Sequence, residues 1–581
     1  MPGKTAGKTR AFSFLSSSFA NRMRADDRLL LILMGIIVGI CSGLAALALS
    51  KSLVALLEFT HHYRHIWWGF VLPGIGAALS SLFLSKVINE GAGHGVPEVI
   101  YSVSRYGGLL RFRSSYSRLI SSCLTIGSGG SAGPEAPVVM SGAAIGSNIA
   151  KYFSFNDRQR ITLVGCGAAG AISSIFNAPI AGMVFTIEVI LGEWTALNIV
   201  PIAVASVAGA QVFRLLEGNH IVFRHAHFNI GLPDVLAAFG LAIVAALVSI
   251  LLTRTMRTMP KIAAKVPLPV WLRAFTGGCM VGLIGFHLPV VMGEGYHSIQ
   301  EMISGVFSQG LAIASFATLA KILATAFTLG WGGSGGIFAP SLVIGSLTGL
   351  TYHRLLIFVW PSAPWISEGC FALLGMAGLI GGMLQAPLTG IFLIVEITGG
   401  YDVILPLIIV SAMSATVCHY IEPASFYLKE LVDKGQLLRP GTDARVLSDL
   451  NIHELLEKDC ICVRPDTLLR DFIRVVSQSH RNFFPVEDPE NGNFLGMIHL
   501  DDIRPYLFNT AMYDTVFLEQ IMDARSETVH VDADLGEVLR KMDEKRLFSM
   551  PVISNKKFAG MISKSTLLDH YRKELRVQTT Q

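Results

Sequence analysis

Between residue 29 and about residue 419, apolar stretches follow one another with only short polar breaks. Three of them, 29–48, 235–252 and 404–417, approach the length of about 20 apolar residues that a bilayer crossing needs. Others, at 138–150, 161–172 and 373–384, are shorter and bracketed by Gly or Pro. Short, interrupted hydrophobic segments predict discontinuous helices whose ends terminate at membrane depth. Unpaired backbone is tolerated there only where it lines a cavity or a binding site. After about Pro440 the pattern changes. Residues 443–576 are charged, and β-like runs at 460–463, 494–498, 528–531 and 558–562 alternate with helical ones, which predicts a soluble α/β region.

The apolar part is internally repeated. Gly127-Ser-Gly-Gly-Ser-Ala-Gly-Pro-Glu-Ala-Pro137 matches Gly330-Trp-Gly-Gly-Ser-Gly-Gly-Ile-Phe-Ala-Pro340 at seven of eleven positions. Residues 167–189 align without gaps on 375–397, sharing G-x-A-G-x-I, an Ala-Pro, a Gly, and a glutamate (Glu188, Glu396). More weakly, Gly91-Ala-Gly-His94 echoes Gly293-Glu-Gly-Tyr296. The three pairs keep the same order at offsets of 202 to 208 residues, so the chain holds two related halves. The tail repeats as well: Phe484-Pro-Val-Glu with 494–498 matches Met550-Pro-Val-Ile with 558–562.

Composition narrows the class. The chain is 51% hydrophobic and 15% charged, with mean hydropathy +0.53. Average proteins carry about 25% charged residues, so an ordinary cytosolic enzyme and a disordered scaffold are both excluded. Six of the 8 cysteines (41, 123, 166, 279, 370 and 418) sit in apolar stretches, and Cys460 and Cys462 lack zinc-site spacing, so neither a disulfide framework nor a metal centre is expected. A net charge of +4 is too small to suggest nucleic-acid binding. Residues 1–28 hold six basic residues against Asp26 and Asp27 and show no cleavable signal, which predicts a cytoplasmic N-terminus. Arg254, Arg257, Lys261 and Lys265 form a basic connector between the halves, consistent with the same face. His61, His62 and His65 border Trp67 and Trp68 and read as an interfacial belt.

Three loops share one grammar: Gly93-His-Gly-Val-Pro97, Gly133-Pro-Glu-Ala-Pro137 and Gly336-Ile-Phe-Ala-Pro340. A helix N-terminus offers free N–H groups and about half a positive charge. Glycine permits close backbone approach, and proline in the first turn forfeits no hydrogen bond. Such ends converging at membrane depth would bind an anion without a full positive charge, weakly enough to release it. Glu135 lies inside one of these loops. A carboxylate there can occupy the anion's own position, and protonation would release it.

At these residues the chain resembles the CLC family of chloride channels and proton/chloride antiporters. The family motifs GxGxP, GxExP and GGIFAP appear as 93–97, 133–137 and 335–340, with Phe176-Asn-Ala-Pro-Ile-Ala-Gly182, Ala386-Pro-Leu-Thr-Gly390 and Tyr427 in Pro-Ala-Ser-Phe-Tyr. The resemblance implies a polytopic α-helical membrane protein of two inverted repeats with broken, tilted helices, plus a cytoplasmic α/β pair of CBS domains. On this reading, 1–28 is a cytoplasmic segment, 29–428 the membrane domain (halves about 29–255 and 266–428), 429–442 a linker, and 443–509 and 518–576 the two CBS modules. It further implies a homodimer, multi-pass in a membrane (a bacterial inner membrane), with both termini cytoplasmic. Glu135 would be the gating glutamate, exchanging protons. His94, Gly95, Ile337, Phe338 and Tyr427 would form the chloride site.

Two departures from the family pattern carry consequences. His94 stands where the family usually has serine, which bears on selectivity and pH response. Val189 stands where proton-coupled members carry their inward-side glutamate, with Glu188 as the neighbouring glutamate. Valine relays no proton, so the expected function is a passive chloride channel, modulated by voltage and pH and gated by Glu135. The alternative is a proton-coupled chloride antiporter with a non-standard inward proton route. No enzyme is expected, because the membrane acids are isolated and no His-Glu-x-x-His occurs. CBS pairs often bind adenine nucleotides through a Thr/Ser-x-x-Asp ending. Here only the first module keeps the acid, as Asp502, while the second ends Ser563-Lys-Ser-Thr566.

Overall fold

The computed structural model describes residues 27–570 except 65, 67, 92–94, 220, 225–226, 229, 308, 434–451 and 480. His94, most of the expected linker and nearly all of the basic N-terminal segment therefore lie outside the described residues. The chain divides into two units, 1–437 and 438–581.

The first unit is helical. Its first half runs through α1 (Asp27–Arg64), α2 (Leu72–Leu82), α3 (Val96–Arg105), α4 (Ser114–Gly127), α5 (Glu135–Tyr152), α6 (Asp157–Phe176), α7 (Pro179–Phe185) and α8 (Ala196–Glu217). The second half follows as α9 (Leu232–Ala264), α10 (Val270–His287), α11 (Tyr296–Ile303), α12 (Leu311–Gly330), α13 (Phe338–Val359), α14 (Glu368–Leu384), α15 (Pro387–Thr398), α16 (Ile404–Ile421) and α17 (Phe426–Asp433). Among the described residues, 7 helical stretches are long and apolar enough to cross a membrane. The segments expected to be short are in part longer than their apolar runs. Residues 161–172 sit inside the 20-residue α6, whose polar first turn is closed by a capping box, Asn156 Oδ1 accepting from the Gln159 N–H at 2.9 Å. Hydropathy alone cannot see a helix that begins on polar residues.

Glycine fixes the crossings between helices. A Cβ added to Gly142 on α5 would lie 2.2 Å from the Gly167 carbonyl oxygen on α6. In the other half, one added to Gly345 on α13 would lie 2.6 Å from the Gly375 oxygen on α14. Backbones touch at both places, and dispersion between them replaces the hydrophobic drive that lipid removes. The duplicated frame also sets the helix ends: Asn177 and Gln385 close α6 and α14 in the same left-handed conformation, both at φ 53°.

The second unit holds α18 (Ile452–Leu455), α19 (Leu469–Gln478), β1 (Phe483–Glu487), β2 (Phe494–His499), α20 (Leu500–Leu507), β3 (Val529–His530), α21 (Leu535–Glu544), β4 (Ser549–Ser554) and β5 (Lys557–Ser563). The tail repeat appears as two antiparallel hairpins, with Phe484 facing Ile498 and Met550 facing Ile562. Each shifts register at the matching place, after Val486 and after Val552. β3 adds to β4 in parallel. Each hairpin covers its own small core, one around Phe472 and Phe484, the other around Met542 and Met550.

Candidate functional site: a junction of helix N-termini

The two glycine loops of the repeat meet face to face. Gly133 donates its N–H to the Gly336 oxygen at 2.8 Å, and Gly336 returns the bond at 2.6 Å, as an antiparallel bridge. Flanking side chains brace the junction in matched pairs. The Ser131 N–H donates to Thr328 Oγ1 (3.0 Å) and the Ser334 N–H to Thr125 Oγ1 (3.2 Å), while hydroxyls pair between Ser121 and Ser334 (2.9 Å) and between Ser131 and Thr325 (3.0 Å). These bonds cross between the halves and fix the starts of α5 and α13 against each other.

α3 joins them. Gly95, at φ +80°, caps its N-terminus, and an added Cβ there would come within 3.0 Å of the Ala136 oxygen in the first turn of α5. One added to Gly336 would sit 3.0 Å from the Ala136 Cβ. Three helix N-termini therefore lie against one another, and none of the three has a side-chain cap. Uncapped first-turn N–H groups in a buried position call for an acceptor.

Glu135 supplies one. Its carboxyl is 1% exposed and folds back over Gly133, where an added Cβ would fall 2.0 Å from Oε2. It lies near its own N–H and that of Ala339, in the first turn of α13, whose Cβ also borders Gly133. Oε1 accepts a 2.6 Å bond from the Tyr296 hydroxyl, and Oε2 has no hydrogen-bond partner among the described residues. A negative charge thus sits where positive helix ends converge.

Around this seat, Ile337 and Phe338 are buried, and the Phe338 ring packs between Phe176 (5.6 Å) and Phe185 (6.0 Å). Tyr427, at the start of α17, is buried within electrostatic reach of Glu135. The structure thus brings together Gly95, Glu135, Ile337, Phe338 and Tyr427.

The sequence of residues 76–419 matches the family model described as voltage gated chloride channel, and 452–509 and 518–573 match the CBS domain. The chain belongs to the voltage gated chloride channel family. Among its relatives, a ClcB-like protein of Ralstonia nicotianae, whose name refers to a chloride channel, is 30% identical over 372 residues, 63% of this chain and 86% of the relative. The H(+)/Cl(-) exchange transporter ClcA of Klebsiella pneumoniae is 29% identical over 409 residues, 66% of this chain and 85% of the relative. The fold matches the crystal structure of a slow cyanobacterial Cl-/H+ antiporter at TM-score 0.65 and 21% identity, covering 71% of this chain and 98% of that one. The family consists of transporters and channels of an integral membrane, multi-pass kind; this chain is a CLC chloride transport protein and not an enzyme.

Within this CLC fold the remaining candidates take distinct places. Val189 lies on the π-helical turn Thr186–Leu191 that extends α7, packed against the core. Glu188 beside it accepts from the Leu388 N–H (3.2 Å), the Thr389 N–H (2.8 Å) and the Thr389 hydroxyl (2.7 Å), capping α15. Glu396 on α15 accepts from Ile180 (3.0 Å) and Ala181 (2.7 Å), capping α7. Each half's glutamate thus caps the other half's helix. Glu98, in the first turn of α3, pairs with Arg118 at 2.7 Å. In the tail, Asp502 accepts its own turn's His499 N–H at 3.2 Å. Glu457 accepts from Ser563 (2.6 Å), Thr566 and Arg481 (2.5 Å), which engages the ending of the second module.

Sequence reasoning passed over three residues here. Tyr296 bonds Glu135. Glu294 borders it, and both line a cavity of about 1030 Å³. Lys321, the one charged residue of α12, is fully buried and donates to the Val291 (3.0 Å) and Gly293 (3.1 Å) oxygens. A lone lysine in an apolar 20-residue helix was the available signal.

Proposed function

We propose that the protein exchanges chloride for protons across a membrane, with Glu135 both occluding the anion pathway and carrying the proton. The observation that carries this reading is the seat of the Glu135 carboxylate at the first turn of α13, among helix ends that suit chloride equally well. A carboxylate and a chloride ion competing for one seat couple the two movements: protonation frees the carboxyl, and the anion takes its place. Gly95, Ile337, Phe338, Tyr427 and, from outside the described residues, His94 form the anion site. The protein works as a homodimer in a bacterial inner membrane with both termini in the cytoplasm, and voltage biases the anion and proton steps.

The expectation of a passive channel rested on Val189, and it yields to the antiporter alternative. The relatives named for proton/chloride exchange favour coupling, and a missing carboxylate at one position leaves a water-filled route open. With both Glu188 oxygens engaged by α15, that glutamate is committed to capping. Water reaching Glu135 past Val189 is then the inward proton route. The channel reading keeps one specific support, the apolar Val189 itself.

Reconstituted liposomes decide between them. Under opposing chloride and pH gradients, the reversal potential should depart from the chloride Nernst potential, and a chloride gradient should drive protons uphill. A potential pinned to the Nernst value would restore the channel. Glu135→Gln should abolish proton movement and leave a chloride flux that no longer varies with pH.

A further inference from the structure

Tyr296 has no place in the anion site of the family pattern, yet it makes the shortest side-chain bond to Glu135. Its hydroxyl donates to Oε1 at 2.6 Å, while the other carboxyl oxygen has no bonded partner among the described residues. The ring is held: Phe223 meets it edge-on at 5.9 Å, and Phe223 is itself tied by its N–H to the Ile397 oxygen at 2.9 Å. The backbone before it is held too. Gly295 stands at φ +82°, and the Lys321 ammonium binds the oxygens of Val291 and Gly293 just upstream. One face of this segment, with Glu294, Tyr296 and His297, lines the cavity of about 1030 Å³.

We propose that Tyr296 is the positioning residue of the outer gate, a latch whose hydroxyl holds the ionised Glu135 in the blocked seat. This rests on the reading of Glu135 as the gate. A phenol donates readily to a carboxylate but gains much less from a neutral carboxylic acid, so the latch acts on one protonation state. It fastens the gate when Glu135 is charged and slackens when the proton arrives from the cavity. In the sequence repeat Tyr296 stands where the first half has His94.

The titratable side chains facing Glu135 are Tyr296 and Glu294, from the segment that opens α11, and Tyr427 from α17. The helices packed around α5 (α1, α3, α4, α6 and α13) bring no charged side chain to bear on it among the described residues. His94 precedes α3, and the test controls for it.

Chloride efflux from liposomes, followed across pH, tests the latch. Tyr296→Phe keeps the ring against Phe223 and removes only the donor. Without it the carboxylate takes up a proton more readily, so the midpoint of acid activation should move upward by about one pH unit. Glu135→Gln should be flat with pH, and adding Tyr296→Phe to it should leave the profile flat. The upward shift should persist in a His94→Ser background. A Tyr296→Phe protein that titrates like the parent, while Glu135→Gln is flat, overturns the latch alone. A Glu135→Gln protein that keeps the parent's pH response overturns the gate reading beneath it. A shift that vanishes in the His94→Ser background overturns the latch as well, assigning the response to His94.

Discussion

Set against each other, the two halves of the membrane unit agree where residues brace the glycine loops and cap helices, and differ at the residues proposed to act in transport. Gly133 and Gly336 bond reciprocally, Ser131 and Ser334 donate to equivalent threonines, and Glu188 and Glu396 cap each other's helices. In the same frame, Glu135 of the first half corresponds to Phe338 of the second, and His94 to Tyr296. The duplicated backbone can create a junction of positive helix ends but treats both sides of it alike. The exchange proposed above needs a difference between the sides, and the single carboxylate would provide it, seated on one loop with its Oε1 bonded to the Tyr296 hydroxyl.

The comparison is most exposed at the glycine crossings. Gly142→Ala and Gly345→Ala should each overpack a backbone contact by about 3 kcal/mol, more than the roughly 1 kcal/mol that alanine returns to a helix. Thermal unfolding of the purified protein should show comparable losses for both. A variant tolerated in one half only would mean that the crossings are not equivalent. The glutamate caps come next. Glu188→Gln and Glu396→Gln each weaken charge-assisted bonds to two backbone donors at a helix start, a loss of about 2 kcal/mol. The same measurement should find the two within error of each other. A much larger effect on chloride flux for Glu188 alone would give it a role in transport beyond capping.

These features were unequally legible beforehand. The repeat, the loops and Glu135 could be read from the chain because glycine, proline and a carboxylate in an apolar run have few alternative explanations. The lengths of α5 and α6 could not, since both begin or end on polar residues that hydropathy discounts. The reciprocal capping by Glu188 and Glu396 needed the three-dimensional crossing of the halves, although their equivalent spacing was visible. Tyr296 shows in the chain only through the weak echo of Gly91-Ala-Gly-His94 in Gly293-Glu-Gly-Tyr296. Its partner lies 161 residues away, and no local pattern encodes that contact. The choice between channel and antiporter was less legible, because Val189 removes one carboxylate while a water chain, which no residue type encodes, could carry a proton in its place.

The tail repeats the comparison at lower stakes, since its two modules share a hairpin with the same register shift but not the same surface ion pairs. Arg481 binds Asp459 at 2.7 Å, and its hydrogen bond to that carboxylate, reinforced by its charge, holds the Asp459 carboxyl below the usual aspartate range. A carboxyl held low in the folded state contributes stability that is complete above its unfolded value of about 3.9 and lost as pH falls through the lower folded value. The pair is exposed and screened by salt, so the contribution stays under about 1 kcal/mol. Asp459→Asn should therefore leave the tail of the full-length protein nearly unchanged near neutral pH. On acidification it should flatten the loss of hydrogen-exchange protection in β1 and β2, and added salt should shrink the difference. If protection in these strands falls identically with acid in both proteins, the ion pair does not distinguish the first module, and the two modules are closer to equivalent than their surfaces indicate.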